Sequence, residues 1–242
     1  MHAMRPPADT ADTAAAPTIR RHSLSDDIYE VLLAELIALR IPPGERLSVD
    51  ALSRKYGLSQ TPIRAALIRL ESEGLVVKKF NAGYNAAPMP SGSRFQEVYA
   101  FRLLIEPEAA ALASQRIDAD ALQELRALCD AMDQLTQQDA QANYGKFAML
   151  DGQFHQRIVR LSGNQIFSDS LERLFAHMHL FRLRYHSTVA EEAVKEHIAI
   201  LDALERQDAD AARHAMATHI RHSRDRMQPF FVNLPDTDAE SA

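Results

Sequence analysis

Four side chains that can bind a metal ion fall on the apolar faces of three predicted helices in the second half of the chain. Asp151 and His155 are four residues apart, so a helix places them on one side, where they can hold one object together. His197 and His219 lie in the apolar stripes of two later helices. A buried aspartate needs a partner, and one carboxylate with three imidazoles suits a divalent metal, with zinc favoured and nickel or manganese as alternatives.

Two other interpretations of these residues stay open. In the first, no metal binds, Asp151 accepts a hydrogen bond from one buried histidine, and the other imidazoles donate to backbone carbonyls. In the second, the same residues form a catalytic centre, because such a ligand set leaves a coordination position for a water molecule. A metal-dependent hydrolase with an appended winged-helix domain is therefore the alternative function, although the chain lacks the His-Glu-x-x-His pattern that places a general base beside the metal.

A second group of polar side chains opens a short predicted helix, LSQTPIRAALIRL, at residues 58–70. Its N-cap is a serine and its first turn contains a proline, both of which favour helix initiation. Gln60 and Arg64 lie along one face, and both residue types make bidentate hydrogen bonds to the edges of DNA bases. Arg69 and Lys79 add positive charge, so all four side chains are candidate DNA contacts.

The elements around this helix predict a winged helix-turn-helix. A helix at about 24–40 precedes a second one at 48–57, and a tight glycine turn joins the second helix to the third. After Gly74, LVVKK predicts a strand, NAG a hairpin turn containing Gly83, and YNAAP the returning strand. The start of the third helix of such a motif enters the major groove of DNA. The alternative is a small helical domain whose polar helix start faces water.

The charge distribution divides the chain in the same place. The net charge is −6, but residues 1–90 carry +1 and residues 91–242 carry −7, and six cations oppose two acids within 53–80. A basic module joined to an acidic remainder is typical of a DNA-binding domain with a partner domain, although six cations in 28 residues are also ordinary solvated surface. The single cysteine, Cys129, and the lack of a long apolar run predict a cytoplasmic protein that does not enter a membrane.

The second half of the chain predicts an antiparallel all-helical bundle, so the fold class is mainly α. The six predicted helices span about 93–115, 119–138, 140–162, 164–186, 188–206 and 208–227. The predicted organisation is a disordered tail at 1–20, a winged helix-turn-helix at 21–88, a linker at 89–92, a helical domain at 93–232 and a second disordered tail at 233–242.

The run PPGERLSVDALSRKYGLSQTPIRAALIRLESEGLVVKKFNAGYNAAP resembles the DNA-binding domain of GntR-family bacterial transcription regulators, and the resemblance covers residues 24–88. It implies operator contacts by Ser59, Thr61 and Arg64 in the recognition helix and by Gly83 in the wing. Two positions depart from the family pattern, because Gln60 stands where arginine is usual and Ala65 where glutamate is usual. The first departure removes a typical guanine contact.

The second half resembles the FCD ligand-sensing domain of FadR-type regulators, closest to the VanR-like group, over residues 93–227. The patterns are Asp-x-x-x-His, Ser-Gly-Asn, Glu-His-x-x-Ile-Leu and Met-x-x-His-Ile, and they imply the metal ligands Asp151, His155, His197 and His219. Arg102 and Glu106 match an Arg-x-x-x-Glu feature of the first helix, which belongs either to an effector pocket or to a surface ion pair. Arg102 and Arg184 are the candidate effector-binding residues, since arginine binds carboxylates by paired hydrogen bonds.

Together, these features predict a ligand-responsive transcriptional repressor rather than an enzyme. A recognition helix serves one half-site, so a two-fold operator in double-stranded DNA implies a homodimer. A small organic acid is the expected effector, entering the helical bundle and changing the placement of the two winged domains.

Overall fold

A computed structural model of the chain describes residues 23–79, 83–138, 140–174 and 189–230. The two predicted tails and Arg184 lie outside these residues. The described residues form a mainly helical fold with a small sheet, which confirms the predicted class. Within these ranges, no helix is both long enough and apolar enough to cross a membrane.

A winged helix-turn-helix forms the N-terminal part, as the sequence predicts. Its elements are α1 (Leu24–Ile37), β1 (Arg46–Leu47), α2 (Val49–Tyr56), α3 (Gln60–Ser72), β2 (Val76–Lys79) and β3 (Gly83–Ala86). Ser48 caps α2 by accepting a hydrogen bond from the backbone N–H of Ala51. Gly57 ends α2 in the left-handed conformation at a φ of 66°, which favours glycine and lets α3 start three residues later.

The wing is an antiparallel sheet in the strand order β1-β3-β2. Lys79 at the end of β2 is paired with Gly83, whose φ of 80° suits only a residue without a side chain. Strand β1 was not predicted, and it pairs Arg46 with Asn85 and Leu47 with Tyr84. With two residues, β1 is too short for an alternating pattern to reveal it.

The C-terminal part contains six helices among the described residues, in agreement with the predicted bundle. They are α4 (Gly92–Ser114), α5 (Ala119–Thr136), α6 (Ala140–Leu161), α7 (Gln165–Leu174), α8 (Val189–Glu205) and α9 (Ala209–Met227), and a 3₁₀ turn follows at Gln228–Phe230. Asp118 and Asp208 cap α5 and α9. Helix α4 packs along α9, and α5 packs against α6 and α8, so the apolar stripes predicted from the sequence meet in one core.

Helix α6 contributes to the two largest hydrophobic cores, one in the bundle and one in the winged helix-turn-helix. Phe154 lies in the core of the bundle, whereas Ala148 is fully buried in the core that contains Leu33 of α1. The two helices approach so closely that a Cβ atom on Gly145 would lie 2.6 Å from the Cα of Ala34. Real Cβ atoms do not come this close to a backbone atom, so the packing of α1 on α6 depends on a glycine at this position.

Candidate metal centre and nucleic-acid interface

The four predicted metal ligands come together in the bundle core. Asp151 and His155 project from one face of α6, His197 comes from α8 and His219 from α9. All four side chains are buried, with 3% or less of each residue exposed. One potential ligand atom from each residue lies within 4.8 Å of the others, as a shared ion requires.

Two short distances define the centre of this cluster. The Nε2 atoms of His155 and His219 are 3.1 Å apart, and Nε2 of His197 lies 3.3 Å from an Asp151 carboxylate oxygen. Nε2 of His155 lies 4.0 Å from the other oxygen of that carboxylate. One potential ligand atom from each of the four side chains therefore faces a common centre.

Two carboxylates accept hydrogen bonds from the Nδ1 atoms of two histidines, on the side of each ring that faces away from the cluster. His155 Nδ1 donates to Glu106 of α4 at 2.5 Å, and His219 Nδ1 donates to Glu196 of α8 at 2.8 Å. An ionised carboxylate only accepts hydrogen bonds, so each Nδ1 carries a proton and, in a neutral imidazole, the lone pair lies on Nε2. This carboxylate–histidine arrangement is the one that orients histidines toward metal ions in proteins.

Burial controls the protonation of the cluster. Burial raises the pKa of the Asp151 carboxyl from 3.8 to about 7, because the attraction of Arg102 only partly offsets the loss of hydration. Burial also lowers the pKa of His219 to about 4, against the opposing effect of Glu196. His219 is therefore a neutral imidazole at pH 7 and can act as a ligand.

Arg102 forms a buried ion pair behind this site. Its Nε donates to Glu106 at 2.6 Å, and the two side chains are 3% and 0% exposed, so the interpretation as a surface pair is wrong. Its Nη2 is buried without a hydrogen-bond partner among the described residues. Arg102, Glu106 and His155 thus form a continuous chain from a guanidinium to the cluster.

Glu196 and Arg226 were not predicted from the sequence. Arg226 donates a hydrogen bond to each carboxylate oxygen of Glu196, at 2.6 and 2.8 Å, and the same carboxylate accepts a hydrogen bond from His219. Burial tends to raise the pKa of Glu196, but the hydrogen bonds from Arg226 and His219 outweigh it and lower the pKa to about 2. Glu196 directly precedes His197, and adjacent helical residues point about 100° apart, so the sequence suggests no common site for them. Only the packing of α8 on α9 shows that Glu196 supports a different histidine.

The predicted DNA contacts are exposed at the start of α3 and in the wing. Ser59 is the N-cap residue of α3, but its hydroxyl makes no capping hydrogen bond, contrary to the favourable cap predicted for it. Gln60, Thr61 and Arg64 follow on the exposed surface of the first two turns. Lys79 and Gly83 are exposed and flank the tip of the β2–β3 hairpin.

Arg69 lies apart from this group. It lies nine residues beyond Gln60, which is about half a turn out of phase around the helix. Its guanidinium stacks 3.6 Å from the centre of the Tyr29 ring and pairs with Glu73 at 3.3 Å and Asp26 at 3.6 Å. Arg69 therefore ties α3 to the start of α1 on the side away from Gln60.

Comparisons with known proteins agree with both halves of the structure. The FCD domain matches residues 97–222, and the gntR family of bacterial regulatory proteins matches residues 24–84. An HTH-type transcriptional regulator in an unstable DNA locus of Streptomyces ambofaciens is 30% identical over 219 residues, which are 89% of this chain and 90% of the relative. The HTH-type transcriptional repressor RspR of Escherichia coli is 26% identical over 221 residues, or 88% and 91% of the two chains.

A solved structure shares the fold. Escherichia coli McbR/YncC matches with a TM-score of 0.67 and 22% sequence identity, over 86% of this chain and 98% of that one. The whole arrangement of a winged helix-turn-helix followed by a helical domain is therefore found in an experimentally solved protein.

Proposed function

The chain belongs to the GntR family of bacterial regulatory proteins and carries an FCD domain, and on this premise we propose that it is a repressor controlled by a small carboxylate. The family consists of DNA-binding transcriptional regulators and not of enzymes, which excludes the hydrolase interpretation of the buried cluster. The repressor named among its relatives supports the same sense of regulation here.

The proposed DNA contacts are made by the start of α3 and by the wing. Gln60 and Arg64 are exposed at the end of α3 whose free N–H groups and dipole favour phosphate. Lys79 and Gly83 extend the same surface to the hairpin. Because each recognition helix serves one half-site, the proposal includes a two-fold operator bound by a homodimer in the cytoplasm.

The proposed metal is carried by one observation, the 3.1 Å separation of the Nε2 atoms of His155 and His219. Both Nδ1 atoms face carboxylates, so in two neutral imidazoles the Nε2 lone pairs point at each other in a buried site. Lone pairs repel at this distance, and the carboxylate of Asp151 beside them is also buried; a divalent cation shared by these atoms removes both penalties. The proposed ligands are Asp151, His155, His197 and His219, with zinc favoured over nickel or manganese.

The proposed effector is a small organic acid that binds next to this cluster. The Nη2 group of Arg102 is buried without a partner among the described residues, and such a donor favours an anionic ligand. A bound divalent cation would supply exchangeable coordination positions for a carboxylate oxygen. Arg184 lies outside the described residues, and its role in effector binding stays a prediction.

Helix α6 supplies a route from the effector to the DNA-binding part. The same helix carries Asp151 and His155 and, nearer its N-terminal end, packs on α1 at Gly145 and Ala148. A ligand that favours one position of α6 would therefore also favour one placement of the winged domain. This differential contact is what an allosteric response requires.

A titration of metal and organic acids tests the proposal. Protein purified without chelator should contain about one divalent ion per chain. A calorimetric screen of small organic acids, repeated after chelation, should find an acid that binds only the metal-loaded chain. At saturation that acid should change operator affinity about 5- to 150-fold, the usual range of allosteric coupling.

Three results would contradict parts of this proposal separately. Protein without a bound metal would favour the hydrogen-bonded interpretation of the cluster. An acid that binds the metal-free chain equally well would place the effector site elsewhere. A chain that binds no DNA sequence selectively would overturn the repressor function itself.

A further inference from the structure

Three side chains form a hydrogen-bonded row across the exposed face of the helix-turn-helix. Asp50 lies in the first turn of α2, and its carboxylate accepts a hydrogen bond from Nε2 of Gln60 at 2.6 Å. The oxygen of the same Gln60 amide accepts a hydrogen bond from Nη2 of Arg64 at 3.1 Å. The row therefore runs in one direction, from the Arg64 guanidinium through the Gln60 amide to the Asp50 carboxylate.

This arrangement changes what Gln60 can do at a base pair. A glutamine recognises adenine with its amide oxygen and its amide nitrogen together. Here the oxygen faces Arg64 and one of the two N–H groups faces Asp50, so the amide is already oriented and partly occupied. Arg64 has five N–H donors and uses one of them in the row, which leaves a pair for O6 and N7 of a guanine.

The carboxylate is otherwise unfavourable at this surface. Asp50 is exposed beside the recognition helix, where it repels the phosphates of any DNA that docks there. Its acidic side chain also stabilises the start of α2, but a helix start does not require the additional contact with Gln60 on a neighbouring helix. A residue that lowers affinity for all DNA and orients one base-reading side chain increases selectivity at the expense of affinity.

We propose that Asp50 is a specificity-determining residue, which fixes the Gln60 amide so that Gln60 positions Arg64 against a guanine in each half-site. The inference rests on the proposed DNA-binding function and adds a residue of α2 to it. Gln60 then acts through Arg64 and does not read an adenine on its own.

Selection of binding sites from random duplex DNA by the full-length chain tests this inference. The wild type should enrich a two-fold sequence with one strongly preferred guanine in each half. Asp50→Ala should relax that preference by about 10-fold, within the range spanned by one bidentate base contact. Binding to unrelated DNA should stay equal or become tighter, because a negative charge has been removed. Asp50→Asn keeps a hydrogen-bond acceptor and should retain most of the guanine preference.

Two controls separate this role from a structural one. Asp120 lies in the first turn of α5 and is exposed, so Asp120→Ala removes an equivalent helix-start charge far from α3 and should leave the selected sequence unchanged. Gln60→Ala removes the middle of the row and should relax the same guanine position as Asp50→Ala. Thermal unfolding of every variant shows whether the helix-turn-helix remains folded.

The outcomes are distinct. An Asp50→Ala variant that selects the wild-type sequence with equal strength would overturn the inference. So would a preference for adenine that disappears only in Gln60→Ala, because Gln60 would then read a base directly. A folded wild type that enriches no sequence at all would overturn the proposed DNA-binding function, and this inference with it.

Discussion

The DNA-facing surface and the buried cluster differ in exposure, in the span of chain that forms them and in what holds them together. Gln60, Arg64 and Lys79 are exposed and come from neighbouring elements of one small domain. The cluster is buried, and its side chains come from three helices between Asp151 and His219. The first site can change without disturbing the fold, whereas the second is inseparable from the packing of its helices.

The difference has a physical cause. A polar group at the surface exchanges one set of hydrogen bonds with water for another, so its energy changes little. A buried carboxylate such as Asp151 has lost its hydration and depends on its neighbours for compensation. We therefore expect substitutions in the buried cluster to affect the folded chain most, and substitutions at the exposed surface to affect it least.

His197→Ala should have the largest effect. His197 is fully buried with Nε2 3.3 Å from the Asp151 carboxylate, so its removal deletes a proposed ligand and leaves that carboxylate exposed to a cavity. We expect loss of the bound metal and a decrease of about 3–5 kcal/mol in the free energy of unfolding, as for a broken buried ion pair. Elemental analysis and denaturant unfolding measure both quantities.

The control for this variant is His214→Ala, because His214 lies on the same helix as His219, α9, but is exposed. It should change neither metal content nor stability by more than about 0.5 kcal/mol. Equal metal contents in His197→Ala and the wild type would remove His197 from the ligand set.

Glu196→Gln should weaken metal binding without deleting a ligand. Glu196 orients His219 through Nδ1, and an amide in its place no longer provides a charged acceptor. Loss of such an outer carboxylate typically reduces metal affinity by about 10- to 100-fold. Competition with a chelator of known affinity measures the change.

Glu191→Gln is the matched control, since Glu191 is an exposed glutamate on the same helix. If both glutamine variants bind metal equally, Glu196 serves only to pair with Arg226 and the contrast between the two sites is smaller than proposed.

Gly145→Ala should weaken the packing of α1 on α6. An alanine normally stabilises a helix relative to glycine by about 1 kcal/mol, but a Cβ here would lie 2.6 Å from the Ala34 Cα. We expect a net destabilisation of about 1–3 kcal/mol, as for other overpacked sites. Metal content should stay unchanged while the effector has less influence on operator affinity.

Gly152→Ala tests the sign of this effect on the same helix. Gly152 borders the open cavity between α1 and α6, so an added methyl group should stabilise the helix there. A stabilising Gly145→Ala would show that α1 moves away from α6 without a penalty.

The contribution of Asp151 to the pH dependence of stability should differ in sign between the metal-free and the metal-loaded chain. Burial raises the pKa of Asp151 from 3.8 to about 7, so the folded metal-free chain binds this proton more tightly than the unfolded chain. The contribution of Asp151 to stability should be fully present below about pH 4 and be lost as the pH rises through 7, by at most about 1.4 kcal/mol per pH unit. The lowered pKa of His219 acts in the opposite direction between about pH 4 and 6.5, so the Asp151 contribution is measured as the difference between the wild type and Asp151→Asn.

A bound metal requires the ionised carboxylate, so metal affinity should instead decrease as the pH falls below 7. Unfolding measured from pH 4 to 8, with and without chelator, compares the two slopes. Asp151→Asn should abolish the decrease in the metal-free chain. Parallel slopes in wild-type protein with and without chelator would contradict a metal bound by Asp151.

Features that depend on contacts within a few residues could be predicted from the sequence more completely than features that depend on helix packing. The helix-turn-helix depends on contacts within a few residues, so Ser48, Gly57 and the start of α3 could all be placed from local rules. Arg69 was assigned by its charge alone, and its helical phase already places it half a turn from Gln60, against Tyr29.

The buried cluster was predictable because polar residues interrupt the apolar stripe of a helix, and this occurs separately in three helices. Its supporting carboxylates were harder to predict. Glu196 was missed and Glu106 was noted only as a partner of Arg102, because the contact of each with a histidine depends on how two helices pack. The spacing of apolar residues shows which face of a helix is buried. It does not show which helix packs on that face, or how far the two helices are offset along their axes.

The smallest effects on the folded chain are expected at the DNA-facing surface. Arg64→Ala and Lys79→Ala should each change the free energy of unfolding by less than about 0.5 kcal/mol and leave the metal content unaltered, because both residues are exposed. Their effects on DNA should differ. Arg64→Ala should cost about 1–3 kcal/mol at the preferred base pair and relax selectivity there. Lys79→Ala should weaken binding to all sequences alike and reduce the salt dependence by about one phosphate contact.

Binding to specific and random duplexes at several salt concentrations separates these two roles. If Arg64→Ala weakens both duplexes equally, Arg64 contacts phosphate and the row that links it to Asp50 has no base to position. If either variant loses metal or unfolds more easily, the two sites are energetically connected even without an effector. The exposed site and the buried cluster would then not be independent of each other. A change at the surface would affect the core through the packing of α1 on α6.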